Sequence, residues 1–283
     1  MTHIASERLS SVLPQLLTVS HEAGRAILEV YNSDFAVEQK DDKSPLTLAD
    51  RRSHEIIAGK LASLHAFKLP ILSEEGRTMS YEERKVWDTF WLVDPLDGTK
   101  EFVKRNGEFT VNIALIQNGC PLLGVIYIPV KDIFYFAAEG LGAYSLELCN
   151  AEIPTSIEDL LKISSRLPLV PLSSGLASHL SHVTVIGSRS HMSPETEQFI
   201  NNLKARYQEV DFLEAGSSLK FCLVAEGKAD VYPRFGPTME WDTAAGQAIV
   251  EQAGGRVLRA GSQEPLSYNK ENLLNPSFIV YRS

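Results

Sequence analysis

The chain has few cysteines and no pattern among them. Cys120, Cys149 and Cys222 are odd in number and widely spaced, so neither a disulfide framework nor a zinc site is indicated, and a reducing compartment is expected. No run approaches the roughly 20 apolar residues of a membrane span. Met1-Thr2-His3-Ile4 lacks the basic region and apolar core of a signal peptide. The expected location is cytoplasmic. Peripheral attachment at the inner membrane stays open, although the net charge of -9 argues against anionic lipid. Basic residues are the minority, 27 Lys and Arg against 36 Asp and Glu, and form no stripe, which argues against a nucleic-acid binder. Three catalytic templates are missing as well. There is no G-x-x-x-x-G-K-[ST] loop, Gly140-Leu141-Gly142 lacks the third glycine of a dinucleotide fingerprint, and no G-x-S-x-G occurs. Kinase, dehydrogenase and serine hydrolase readings lose support. Internal repeats and low-complexity tracts are also absent.

What is present is ordinary globular composition, 44% apolar and 22% charged over 283 residues. That is enough for one large domain or two closely packed ones. From about Glu7 to Tyr31, apolar residues such as Leu9, Val12, Leu13, Leu16, Ala23, Ile27 and Val30 recur at helical spacing. Pro14 suits a first helical turn, so the regular helix is expected to start there. Thr47 to Leu64 reads as a second helix, with Asp50 in its first turn. Apolar runs at 69–72, 90–93, 109–116, 122–128 and 133–137 read as strands. Asn118-Gly119 and Pro129-Val130-Lys131-Asp132 join antiparallel neighbours among them. Residues 149–180 read as an irregular connection containing a domain boundary. Beyond them, strands at 183–186, 208–212, 229–232 and 278–281 alternate with helices at 194–205, 218–226 and 243–253. The first half is thus expected to be α+β and the second an α/β layer.

The chemistry concentrates in Asp94-Pro95-Leu96-Asp97-Gly98-Thr99, directly behind Phe90-Trp91-Leu92-Val93. Read as a strand running into a sharp turn, this segment points Asp94 and Asp97 toward one place. Like charges held close raise each other's pKa unless a cation neutralises them. Hard oxygen ligands select Mg²⁺, Mn²⁺ or Ca²⁺. Backbone N–H groups at Gly98-Thr99 can hold phosphate oxygens, and the Thr99 hydroxyl can orient a water. An Asp-Gly turn accounts for one aspartate but not for both.

The other candidates carry plainer readings beside the functional ones. Glu74-Glu75 can be a solvated loop, and Asp50 and Asp242 can be helix caps. Ser217 and Ser218 can cap a helix, or hold a second anion together with Lys220. Ser188-Arg189 follows a strand end, where open α/β sheets bind ligands. His3, His21, His54, His65, His179 and His182 show no ligand spacing and read as surface or core residues.

These segments resemble the inositol monophosphatase superfamily. Asp94 to Thr99 is similar to its D-P-[IL]-D-G-T signature. Trp241-Asp242-Thr243-Ala244-Ala245-Gly246 is similar to its W-D-x-A-A-G signature, and Glu74-Glu75 matches its paired glutamate. The likeness runs from about residue 9 to 282. The stretches 92–102, 105–115, 216–222 and 232–238 narrow it to the bacterial 3'(2'),5'-bisphosphate nucleotidases of that superfamily.

The resemblance implies a layered α-β-α-β-α sandwich. Residues 1–165 would form an α+β unit with the metal and phosphate site. Residues 166–283 would form an α/β unit that completes the metal site and binds the nucleotide. It implies Mg²⁺-dependent hydrolysis of the 3'-phosphate of adenosine 3',5'-bisphosphate by metal-activated water, with sensitivity to Li⁺. Glu74, Asp94 and the carbonyl of Leu96 would hold one Mg²⁺, and Asp94, Asp97 and Asp242 another. Glu74 would share a third, weaker ion. Gly98 and Thr99 would bind the scissile phosphate, with Glu74 and Asp242 also facing the substrate. Thr99, linked to Asp50, would orient the attacking water.

A bisphosphate needs a second anion site, for which Arg189, Ser217, Lys220 and Arg234 are the candidates. The chain departs from the family pattern at Met239-Glu240, where a carboxylate precedes Trp241 without an evident role. The expected partner is a small nucleotide bisphosphate, with no nucleic acid; monomer and homodimer both stay open. The competing readings are an inositol- or sugar-phosphate phosphatase of the same superfamily and a non-catalytic nucleotide- or metal-binding module. A purely structural protein gives no reason for acidic residues to gather at element ends.

Overall fold

The computed structural model describes residues 3–33, 37–39, 45–64, 67–149, 151–169, 181–188 and 193–282. Arg189, one of the second-anion candidates, lies outside them, as do His65 and His179. The described strands form two large sheets and one small hairpin. The elements run α1 (Ser6–Tyr31), β1 (Val37–Gln39), β2 (Pro45–Thr47), α2 (Leu48–Ser63), β3 (Ile71–Ser73), α3 (Tyr81–Arg84), β4 (Thr89–Asp97) and α4 (Thr99–Val103). Next come β5 (Thr110–Gln117), β6 (Cys120–Ile128), β7 (Ile133–Ala138), β8 (Gly142–Glu147), α5 (Ile157–Ile163) and β9 (Ser165–Arg166). The last group is β10 (His182–Gly187), α6 (Pro194–Lys204), β11 (Glu209–Glu214), α7 (Leu219–Glu226), β12 (Val231–Arg234), α8 (Glu240–Gln252), β13 (Arg256–Arg259) and β14 (Phe278–Tyr281).

Strands β3 to β9 lie in sequence order in a seven-stranded sheet, antiparallel except for the parallel pair β3 and β4. The five-stranded sheet has the order β11-β10-β12-β14-β13, with β10 parallel to both neighbours and β14 antiparallel to both of its own. The two-residue period of a strand sends alternate side chains to opposite faces. On β4, Trp91 and Val93 join a core with α1 and α2, while Phe90 and Leu92 join a second core with α7 and α8. Both faces are therefore covered, which is why these strands read as unbroken apolar runs rather than alternating ones. The second core reaches the inner face of the five-stranded sheet through Tyr232, Val257, Phe278 and Val280. A third core packs α6 on that sheet's outer face through Val183, Val185, Ile200 and Val231. The layers are α1/α2, sheet, α7/α8, sheet, α6: the expected α-β-α-β-α sandwich.

Helix α8 is the middle of that stack, and its sequence is small for that reason. Ala244, Ala245 and Gly246 are buried between β6 and α7. A methyl group on Gly124 of β6 would lie 2.5 Å from the carbonyl oxygen of Ala245. One on Gly246 would overlap the Phe221 ring of α7. The helix and the sheet meet at backbone distance.

Several expectations need correction. Helix α1 starts at Ser6, not at Pro14, which sits inside it. Buried Leu9, Val12, Leu13, Leu16 and Leu17 flank the proline on both sides, and their packing holds the helix through the missing N–H. The stretch 149–180 is not wholly irregular. Ser156 caps α5 by accepting from Asp159 N at 3.1 Å, and β9 follows; residues 170–180 lie outside the described ones. Strands β8 and β13 were not expected. Helix α8 opens at Glu240, so Asp242 is its third residue rather than a cap before it.

Candidate active site

The segment Asp94 to Asp97 was expected to be a turn, but β4 runs through it. Asp94 pairs with Asn112 and Asp97 with Thr110, so three steps on β4 oppose two on β5. The extra residue is a bulge. In a regular strand, residues three apart point to opposite faces. The bulge returns Asp97 to the face of Asp94, the one that looks toward α7 and α8. On the neighbouring strand, Ser73 of β3 is in parallel register with Val93, and Glu74 N donates to Val93 O at 3.2 Å. That brings the start of the Glu74-Glu75 loop alongside Asp94.

Gly98 follows with φ +94°, in the left-handed region that suits glycine. There is no room for a side chain either: a Cβ would meet Glu108 O and Ser217 Cβ, both at 3.2 Å. Thr99 opens α4, and its hydroxyl donates to Asp50 Oδ2 over a long 3.5 Å. Asp50 is 0% exposed on α2. One turn later Ser53 donates to Pro95 O at 2.7 Å, which fastens α2 to the back of the motif.

The other side of the site comes from the helices. Asp242 Oδ2 accepts from Met239 N at 2.8 Å at the start of α8. Ser218, the residue before α7, does not use its hydroxyl to cap that helix. It accepts from Asn112 Nδ2 at 2.9 Å and lies 2.6 Å from Asp97 Oδ2, which takes its proton. The Asp242 carbonyl is 2.9 Å away. Ser218 thus ties the β4 carboxylate to α8, and Thr110 extends the chain by donating to Asn112 Oδ1 at 3.0 Å. The sequence offered Ser218 as a cap or, with Lys220, as part of a second anion site, and did not single out Asn112. Its signal was an asparagine inside an otherwise apolar strand.

The electrostatics are those of crowded acids that the nearby Arg234 only partly offsets. Burial pushes the Asp94 carboxyl well above the usual range, and the charges of Glu74, Asp97, Asp242 and Asp50 push it further. Asp242 is raised by burial and by Asp97 and Glu74, partly offset by the Met239 N–H and by Arg234. All five carboxylates act on one place. Every donor is a hard oxygen, and a divalent cation such as Mg²⁺ is the chemistry that relieves such a cluster. Among the described residues no three side chains are already drawn into a closed ligand cage. Asp242, Asp94 and Asp97 instead accept hydrogen bonds from Met239 N, Leu96 N and Ser218.

Next to the acids is a cavity of about 180 Å³ whose lining includes Asp97, Ser217, Lys220, Arg234 and Asp242. Lys220 is buried and donates to Ser217 O at 2.6 Å and Ala215 O at 3.3 Å; burial holds its ammonium down to about 8. Arg234 Nη2 donates to Pro237 O at 2.9 Å, and its buried Nε has no partner among the described residues. A larger cavity of about 550 Å³ sits at the far end of β4, near Thr89, and contains none of these groups. Glu240 turns away from the acids: it is 0% exposed and pairs with Lys270 Nζ at 2.6 Å.

Comparison with known proteins gives the family and the fold. The profile of the Inositol monophosphatase family matches residues 8–280. The protein named 3'(2'),5'-bisphosphate nucleotidase CysQ in Shigella flexneri is 44% identical over 272 residues, covering 95% of this chain and 99% of that one. Its namesake in Haemophilus influenzae is 32% identical, covering 95% and 92%. The crystal structure of CysQ from Bacteroides thetaiotaomicron superposes with a TM-score of 0.84 at 48% identity, covering 99% and 98%. An IMPase from Thermotoga maritima, 23% identical with a TM-score of 0.71 over 95% and 91%, shares the fold.

Proposed function

The chain belongs to the inositol monophosphatase family, and within it we infer a 3'(2'),5'-bisphosphate nucleotidase. It hydrolyses the 3'-phosphate of adenosine 3',5'-bisphosphate to AMP and phosphate, and its catalysis is metal-dependent, as is general in the family with Mg²⁺. One observation carries the assignment of that chemistry to residues. Glu74, Asp50, Asp97 and Asp242, drawn from three helices or loops and one strand, all act on the buried Asp94 beside a cavity holding Lys220 and Arg234.

We place Glu74, Asp94 and the Leu96 carbonyl around one ion, and Asp94, Asp97 and Asp242 around a second. Glu74 shares a third, weaker one. Bound divalent ions supply a water of lowered pKa and stabilise the charge that grows on the leaving oxygen. The protein's own groups do the positioning. Thr99 gives its proton to Asp50, so its oxygen accepts a proton of the attacking water and holds it in place. The backbone N–H groups of Gly98 and Thr99 hold the scissile phosphate. The water oxygen bonds to phosphorus as the P–O3' bond breaks; the water gives up one proton and the departing 3'-oxygen takes one up, so ester and water become AMP and phosphate with no net proton gained or lost. Lys220, Arg234 and Ser217 receive the 5'-phosphate, a role that Lys220's burial and Arg234's spare Nε donor support. Glu74 and Asp242 border the substrate from the acidic side. Arg189 keeps its place as a candidate for the same anion.

We also read the chain as two units. One is built on the seven-stranded sheet, and the other on the five-stranded sheet with α7 and α8 closing on the first. No helix among the described residues is long and apolar enough to cross a membrane. Cys120, Cys149 and Cys222 are free thiols, which supports a reducing, cytoplasmic setting.

The test is phosphate release from adenosine 3',5'-bisphosphate and inositol 1-phosphate, side by side with Mg²⁺ and again with Li⁺ added. Preference for the bisphosphate and inhibition by Li⁺ are expected. A strong preference for the inositol ester would overturn the substrate assignment.

A further inference from the structure

Glu240, the carboxylate for which the sequence offered no role, is the hub of a buried network outside the reaction site. Its Oε2 accepts from Asn269 N at 2.7 Å, and its Oε1 from Lys270 N at 3.0 Å and Lys270 Nζ at 2.6 Å. Lys270 Nζ also donates to Ser267 O at 2.9 Å. Asn275 ties the same loop to the start of α8 by donating to Met239 O at 2.8 Å and Thr243 Oγ1 at 3.0 Å. Met239 and Thr243 bracket Asp242 along the chain. The loop around residue 269 is therefore fixed to the turn that carries Asp242.

The same loop is gripped from the opposite side. Arg84, 2% exposed at the end of α3, donates from Nη1 to Asn269 Oδ1 at 2.9 Å and to Lys270 O at 2.6 Å. Its Nη2 donates to Glu271 O at 2.7 Å. Asn269 answers by donating from Nδ2 to Arg84 O at 2.8 Å. Helix α3 is the continuation of the Glu74 loop. Gly76 N donates to Ser73 O at 3.0 Å, Arg77 pairs with Glu83 at 2.9 Å, and Ser80 and Glu83 form a capping box. Both segments that bring distal acids to Asp94, the Glu74 loop and the start of α8, are thus joined through residues 269–271.

We propose that Arg84, Asn269, Lys270 and Glu240 form a clamp that sets the separation of Glu74 from Asp242, and that these four are positioning residues for the cation site. The proposal rests on the reading of Glu74 and Asp242 as ligands. Removing a group that orients ligands without touching the ion typically costs about 10- to 100-fold in metal affinity. Loosening the clamp leaves every ligand present but widens the range of distances they sample. Cation affinity falls, while the nucleotide contacts at Lys220 and Arg234 stay in place.

The variants are Glu240→Gln, which keeps shape and removes the charge facing Lys270, and Asn269→Gly. Asn269 sits at φ +67°, which glycine adopts without strain, so that variant removes the side-chain bonds to Arg84 and a longer one to Trp87 O at 3.4 Å and leaves the backbone as it is. Mn²⁺ binding is measured on substrate-free protein by calorimetry and by electron paramagnetic resonance, followed by Mg²⁺ activation of turnover. The Mn²⁺ Kd is expected to rise about tenfold in either variant, with the Mg²⁺ activation constant following and KM for the bisphosphate at saturating Mg²⁺ unchanged. If Glu240→Gln does not fold, Asn269→Gly decides alone. A lowered Tm with Mn²⁺ affinity unchanged within about twofold overturns the clamp and leaves a merely structural network. Wild-type protein that binds no Mn²⁺ overturns the cation reading itself.

Discussion

Ser218 holds Asp97 across 121 residues of sequence, its hydroxyl 2.6 Å from Asp97 Oδ2. Ser218 accepts from Asn112, and of the two acceptors within reach of its proton the Asp97 carboxylate at 2.6 Å is nearer than the Asp242 carbonyl at 2.9 Å. One oxygen of Asp97 is thereby engaged, and the other is left for a ligand. Ser218→Ala removes that orientation and leaves Asn112 Nδ2 buried without its acceptor. Turnover is expected to fall about 10- to 100-fold, with a higher Mg²⁺ requirement. Steady-state rates across a Mg²⁺ titration check this, with circular dichroism as the control for folding.

Asp94→Asn separates the two demands on that residue. The amide keeps the shape but removes one charge from a buried, mutually repelling cluster. Turnover is expected to drop by more than about 100-fold. Without divalent cation the variant should melt at a higher temperature than the wild type, because an uncompensated buried charge is gone. The rise in Tm that Mg²⁺ gives the wild type by mass action should shrink or vanish. A variant with full activity would contradict the ligand assignment.

Lys220 supplies a pH signature. Its ammonium titrates near 8 in the fold because burial disfavours the charge, against about 10.4 in an unfolded chain. The folded state therefore binds fewer protons than the unfolded one between those values. Stability attributable to this residue is fully present above the unfolded pKa and is lost as pH falls through about 8, a swing of about 3 kcal/mol. Urea unfolding at pH 7 and pH 10 should show the difference between wild type and Lys220→Met changing by that order. In the active enzyme the sign concerns the ligand. KM for the bisphosphate should climb as pH passes above 8 in the wild type, and the Lys220→Met profile should stay flat there.

Gly124→Ala tests the contact between β6 and α8. The added methyl group meets the Ala245 carbonyl, which belongs to a helix packed on both sides and cannot retreat. The expected cost is about 1–3 kcal/mol of unfolding free energy. Chemical denaturation measures it, and activity below the transition should persist.

Much of the site is visible in the sequence because its parts are short and local. Asp94 to Thr99 and Trp241 to Gly246 announce acids at the ends of apolar elements. The strand runs and most helices of the second half fall where periodicity puts them. What is not visible depends on partners distant in the chain. A serine before a helix reads as a cap or an anion ligand, and only β5 lying opposite α7 turns Ser218 toward Asp97. Glu240 beside Asp242 has no evident role in the sequence, because Lys270 and Asn269, which hold it, are about 30 residues away. Strand β8 and helix α5 are short, and their formation depends on neighbours on the sheet and on α1. Pro14 misled because local rules favour a helix start there, and the packing of α1 overrides them.

The bulge in β4 makes the count of residues between the two aspartates as binding as their identity. Were the same residues to run on as a regular strand, without the bulge, the second carboxylate would swing to the opposite side, into the apolar layer beneath α1 and α2. One acid would be lost from the site and one added to the core in a single step. The spacing is an odd number corrected by one, and side-chain substitutions nearby leave that arithmetic untouched.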